Sequence, residues 1–143
     1  MSNFHYLARA LILENGYVLT VREKGSELHF LPGGHIEFGE GAKVALKREI
    51  MEETGLECSI GGFVGALEHS WPENVFNHHE INLIFYVNLF GVRAPENPVS
   101  LENHLEFNWL DLADVSKTNL QPYPLREVVL DSVKGGVWKS TLE

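Results

Sequence analysis

Three glutamates, Glu49, Glu52 and Glu53, fall at helical spacing. Beyond Gly41 the stretch to Thr54 has neither glycine nor proline and is rich in Ala, Leu, Lys, Arg, Glu and Met. At about 100° per residue the three acids share one narrow sector of a helix. Ala42, Ala45 and Leu46 point the same way from earlier turns. A solvated charged face lies opposite an apolar stripe rather than on it, and Lys43 and Lys47 do lie opposite. Val44 and Met51 break this pattern and read as contacts to a loop or a partner. Three carboxylates converging on an inward face repel one another and are costly to keep ionised. A divalent cation offsets that cost. Oxygen ligands without Cys or His suit Mg²⁺ or Mn²⁺ better than zinc. The alternative is that the acids form surface ion pairs with Lys47 and Arg48, and helix geometry alone does not separate the two readings.

The surrounding sequence separates them. The run Gly34-His35-Ile36-Glu37-Phe38-Gly39-Glu40-Gly41-Ala42-Lys43-Val44-Ala45-Leu46-Lys47-Arg48-Glu49-Ile50-Met51-Glu52-Glu53-Thr54-Gly55-Leu56 resembles the signature of the Nudix family at every defining position. That signature reads Gly, five residues, Glu, seven residues, Arg-Glu-aliphatic, one residue, Glu-Glu, one residue, Gly-aliphatic. So many fixed positions make it far more specific than a lone Gly-rich loop. Leu31-Pro32-Gly33 before it and Phe107-x-Trp109-Leu110 after it also look like the family.

The resemblance implies an α/β/α sandwich with a mixed sheet, in which the box 34–56 forms a loop, a helix and a second loop. It implies that Glu49, Glu52 and Glu53 hold one or more Mg²⁺ (or Mn²⁺) ions and that the carbonyl of Gly33 adds a ligand. Arg48 is implied to orient a neighbouring glutamate rather than touch substrate. Glu40 either braces the box loop or is a simple acid near a helix start. Gly33 and Gly34 let backbone approach the ions closely, and Gly55 closes the helix. Catalysis would rest on Glu49, Glu52, Glu53 and Arg48. The general base comes either from the Arg48-Glu49 part of the box or from a later loop, where Glu102 and Glu106 are alternatives.

The implied activity is hydrolysis of a diphosphate linkage in a nucleoside diphosphate derivative: a nucleoside triphosphate, a nucleotide sugar or a dinucleoside polyphosphate. Charge develops as the P–O bond breaks, and a divalent ion neutralises it, orients the phosphates and acidifies a water. No triad with a nucleophilic Ser or Cys is evident. A non-hydrolytic binding or sensor module on the same fold is the alternative, but such modules usually carry damaged boxes and this one is intact.

Other elements must hold the box. His5–Glu14 and Tyr17–Arg22 flank Asn15-Gly16, a strong hairpin signal. Glu23–Glu27 reads as a loop and Leu28–Leu31 as a short strand stopped by Pro32-Gly33-Gly34. Gly55 sits where a left-handed helix cap belongs. Ser59–Leu67 reads as a strand with an irregularity at Gly61-Gly62, Glu68–His79 as a polar and aromatic loop, and Ile81–Phe90 as the longest strand. A loop over Arg93–Asn103, a short strand over Leu105–Leu110 and a closing helix over Leu125–Val133 follow. The irregular alternation predicts a mixed sheet covered by helices on both faces.

The box has no aromatic residue apart from Phe38, so recognition of the rest of the substrate must come from elsewhere. Trp71, Phe76, His79 and Glu80 are the candidates, as aromatic groups for a base to stack on and an acid to assist. The competing reading is a surface loop anchored by Trp71 or Phe76. The histidines match no metal-ligand spacing, so zinc is not expected. Trp109 reads as core.

Composition bounds the rest. The 143 residues fit one domain, 1–143. The apolar fraction of 44% supports a packed core, and a formal charge of −9 argues against an extended nucleic-acid partner. The one cysteine, Cys58, excludes an intrachain disulfide and suits a reducing compartment. The run Ala10-Leu11-Ile12-Leu13 is too short for a signal core or a membrane span. The expectation is a cytoplasmic protein with a small nucleotide-like substrate and no membrane partner, with a homodimer left open.

Overall fold

In the computed structural model, which describes residues 2–130 and 137–141, the Asn-Gly hairpin forms as expected. Asn15 and Gly16 both take positive φ, 50° and 82°, the twist a tight two-residue hairpin needs. They join β2 (Leu13–Glu14) to β3 (Tyr17–Glu23). The first strand, β1 (Ser2–Leu11), belongs to a different sheet and starts earlier than the sequence suggests. Among the described residues Leu28–Leu31 forms no strand but the single bridges Val21 to Phe30 and His29 to Leu120. The strand comes next, as β4 (Gly33–His35), antiparallel to β1. The glycines that looked like a strand stop are needed because β4 lies so close to β1. Gly33 sits at φ 143°, and a Cβ there would lie 2.0 Å from the carbonyl oxygen of Ala8. Gly33→Ala should therefore cost about 3 kcal/mol or more, read as a lower urea midpoint at unchanged slope. A wild-type midpoint would show that β4 can shift off β1 freely.

Helix α1 (Ala42–Thr54) ends where the sequence places its end. Gly55 is left-handed at φ 71° and its N–H donates to the Met51 carbonyl at 2.8 Å. Beyond it β5 (Cys58–Glu73) and β6 (Phe76–Leu89) form one long antiparallel hairpin. Register shifts between Ile60 and Gly65 mark the irregularity expected at Gly61-Gly62. The predicted loop over Glu68–His79 is instead continuous strand, turning only at Asn74-Val75, where Asn74 has φ 55°. Its polar composition misled because a strand that outruns its helical cover has no apolar face to show. Pro72 fits because β8 (Val137–Ser140) reaches only Gly65 to Glu68, so β5 is an edge beyond that among the described residues.

The large sheet runs β4-β1-β6-β5-β8, with β1 parallel to β6. A second sheet runs β2-β3-β7, where β7 is Leu105–Asp111. A 3₁₀ turn over Leu112–Lys117 and helix α2 (Leu125–Leu130) complete it. Residues 131–133 of the predicted closing helix lie outside the described residues. Strand side chains alternate, and the core divides accordingly. Ala8, Ala10, Phe85, Val87 and Leu89 pack with Ala45, Leu46 and Ile50 of α1. Leu11, Ile84, Val64 and Leu67 pack with Leu125, Val128 and Val129 of α2. The mixed sheet between helices is thus the expected α/β arrangement. Cys58 is buried with a free thiol, and no described helix is long and apolar enough to cross a membrane.

Candidate active site

The inward half of α1 is apolar at Ala45, Leu46 and Ile50 and becomes acidic one turn later. Arg48 organises that acidic end. Its Nε and Nη2 donate to the two carboxylate oxygens of Glu40 at 2.8 and 2.9 Å, Nη1 donates to Glu49 at 3.0 Å and to Glu52 at 3.3 Å, and Nη2 also reaches the His35 carbonyl at 3.1 Å. Glu40 also accepts from the Glu37 backbone N–H at 3.1 Å. Its fork onto Arg48, then that loop bond, hold it well below the usual carboxylate range, at about 2. Glu40 thus braces the loop, and Arg48 orients glutamates.

The three acids are graded. The Glu52 side chain is 54% exposed and Glu49 is 18% exposed. Glu53 faces furthest in, and its Oε2 is buried with no hydrogen-bond partner. Burial, then the neighbouring Glu49 charge, pushes the Glu53 carboxyl up to about 8, against the pull of Arg9. Burial also raises Glu49, against its bond to Arg48. Gly34 makes room for it, because a Cβ there would lie 2.5 Å from the Glu49 carboxyl carbon. Among the described residues these side chains do not themselves gather three ligands into a cage, since Arg48 holds Glu49 and Glu52. The donors nevertheless fit a divalent cation: hard oxygens, one orphaned in a buried position, with repulsion that a cation relieves. Gly33 lines the same end of the cleft as Glu53.

From Glu53 a cleft runs along one face of the large sheet. Its first half, about 380 Å³, is lined by Arg9, Gly33, Glu53, Glu23, Leu28 and Phe30. Its second half, about 700 Å³, shares Arg9, Glu23, Leu28 and Phe30 and adds His69, Trp71, Glu73, Glu80 and Gln121. A separate groove of about 490 Å³ on the outer side of α1, at Lys43, Lys47 and Phe90, holds none of the box acids.

The structure sorts the four candidates for substrate contact. Trp71 and Glu80 line the cleft, and Glu80 is buried, accepting from the Asn82 amide at 3.0 Å. Phe76 lies at the hairpin tip, half-buried and outside the cleft lining. His79 is exposed and sits on the opposite strand face from His78 and Glu80, packing on Phe4 with ring centroids 5.9 Å apart. Strand alternation separates His79 from the cleft, which a loop reading could not reveal. Trp71 is already stacked, against His69 at 5.3 Å and His78 at 4.8 Å. A hydrogen-bonded chain runs behind it: His35 to His5 and His5 to His78, each 2.9 Å, then His78 to Glu73 at 3.0 Å. Burial lowers the pKa of His5, aided by His35 and His78.

Of the later-loop acids, Glu106 is committed to Arg22, whereas Glu102 is near enough to help raise Glu53. Sequence reasoning missed Arg9, Phe30 and Asn82. Arg9 had a signal, a lone cation inside the apolar run Leu7-Ala8-Arg9-Ala10-Leu11. Phe30 and Asn82 had none.

A model of the NUDIX domain matches residues 4–130. An ADP-ribose pyrophosphatase of Methanocaldococcus jannaschii is 31% identical over 84 residues, 57% of this chain and 48% of the relative. Four curated relatives are matched over only 32% to 48% of their own lengths. Among solved structures, the MutT protein from Methanosarcina mazei Go1 is similar at TM-score 0.70 and 23% identity, covering 93% of this chain and 95% of that one. A UDP-X diphosphatase is similar at TM-score 0.68 and 18% identity, covering 97% and 68%.

Proposed function

Because the chain belongs to the Nudix family, we propose that it is a divalent-metal-dependent hydrolase that cleaves a diphosphate linkage in a small nucleotide-like molecule. The observation that carries this is the orphaned, buried carboxylate of Glu53 at the head of a cleft large enough for such a molecule. Glu49, Glu52 and Glu53, with the Gly33 carbonyl, would hold Mg²⁺ or Mn²⁺. Bound there, the ion neutralises phosphate charge and makes a water more acidic. Arg48 and Glu40 keep the acids aimed. The sheet face and Phe30 enclose the rest of the substrate. Relatives named for ADP-ribose and for UDP-X support a nucleoside diphosphate joined to a second group. The test is a panel of nucleoside triphosphates, nucleotide sugars and dinucleoside polyphosphates, followed by phosphate and monophosphate release with Mg²⁺ present. Folded protein that releases neither from any of them would sink the hydrolase reading in favour of a binding module.

Trp71 is the substrate wall on this reading, its ring fixed by the imidazoles beside it. Trp71→Ala should raise KM for the best substrate about tenfold at similar kcat, the pattern of lost uniform binding. An unchanged KM would move recognition to the Leu28, Phe30 and Gln121 wall.

A further inference from the structure

We infer that Arg9 seats the substrate's diphosphate at the waist of the cleft, with Asn82 and Glu80 fixing its guanidinium. That the anion is a diphosphate rests on the hydrolase reading; that an anion binds here rests on the geometry alone. Arg9 lines both halves of the cleft, so whatever spans them passes it. Of the two arginines in that lining, Arg22 is spent on Glu106. Arg9 has no direct ion pair among the described residues, although Glu53 and Glu80 are near enough to act on it. Its Nε donates to Asn82 Oδ1 at 3.2 Å and its Nη1 to the Leu31 carbonyl at 3.2 Å. A guanidinium has five N–H donors, so most remain for a ligand.

The holder is rigid. Asn82 is fully buried and its amide nitrogen donates to the Leu67 carbonyl at 3.3 Å and to Glu80 at 3.0 Å, which turns its oxygen toward Arg9. Withdrawing a guanidinium from water without a carboxylate in contact is costly. A phosphate pair offsets the cost, and the planar fork suits two phosphate oxygens. The competing role is charge balance, with Arg9 merely softening the repulsion between Glu53 and Glu80.

Calorimetry on the full chain separates the two. The probes are Mg²⁺ alone, then α,β-methylene-ADP at saturating Mg²⁺ and low ionic strength. Arg9→Gln should weaken the nucleotide about tenfold or more, while Mg²⁺ alone binds as well or better because a nearby positive charge is gone. Arg9→Lys, which keeps the charge and loses the fork, should weaken it about threefold and decides the matter should Arg9→Gln not fold. Nucleotide affinity within twofold of wild type in the folded variants, or no binding by wild type, overturns the assignment. A wild type that binds the analogue through Arg9 yet hydrolyses nothing in the panel refutes the hydrolase reading and leaves Arg9 standing.

Discussion

Excess EDTA is expected to abolish turnover, and millimolar Mg²⁺ or Mn²⁺ to restore it. On the proposed reading, no arginine beside these acids among the described residues is free to take the ion's place. Arg48 is consumed by Glu40, Glu49 and Glu52. Arg9, bonded to Asn82 and Leu31, pulls on Glu53 but makes no direct ion pair with it among the described residues. A diphosphate entering this end of the cleft would face Glu49, Glu52 and Glu53 with no cation between. Full turnover in chelator would mean that these acids never carried an ion. Thermal melts report the same event without substrate. Ion binding should raise the melting temperature, since a ligand that binds only the folded state stabilises it by mass action.

Glu53→Gln is expected to lower turnover about a hundredfold or more, while the metal-free protein becomes no less stable. The substitution keeps the shape and removes an ionisable group whose charged form burial and Glu49 oppose. Its pH dependence is a sharper signature. The folded-state pKa of Glu53, about 8, lies above the ordinary 4.5. Between those values the folded chain holds a proton that the unfolded chain releases, so stability falls as pH rises through this window. Wild-type protein in EDTA should therefore melt lower at pH 8 than at pH 5, and Glu53→Gln should show a smaller drop. Raised Glu49 adds in the same direction, so the slope shrinks without vanishing. Identical pH slopes for the two proteins would show that Glu53 is not the buried acid, and near-normal turnover for the Gln variants of Glu49, Glu52 and Glu53 alike would refute the box assignment.

The helix and its acids were legible because every determinant is local. Helical spacing, a left-handed Gly55 and an apolar half-face need no knowledge of distant chain. Glu40 and Arg48 are eight residues apart, and their direct pairing, which the sequence reading did not name, is still a contact within the box. The cleft was not legible in the same way, because β1 and β6 pair in parallel across more than seventy residues. His5, Arg9, Glu80 and Asn82 become neighbours only through that pairing. The hairpin tip was misread for a related reason. Trp71 stacks on His78 across the β5–β6 pair as well as on His69 along its own strand, and the cross-strand part is a stabilisation that no short window of sequence shows. His79 then fell on the wrong side by one residue.

That one-residue margin bears on which changes the chain can survive. On β1 the odd positions His5, Arg9 and Leu11 serve the cleft side, and the even positions Ala8 and Ala10 close against α1. Substitution at an odd position near the cleft can alter what is bound and leave the helix seat intact. Insertion or deletion of a single residue there cannot be so selective. It would hand Arg9 to the helix seat and an alanine to the cleft in one step, and would carry β4, with Gly34 against the Glu49 carboxylate, out of register as well. Related chains that differ in ligand should therefore vary β1 in spelling far more readily than in length.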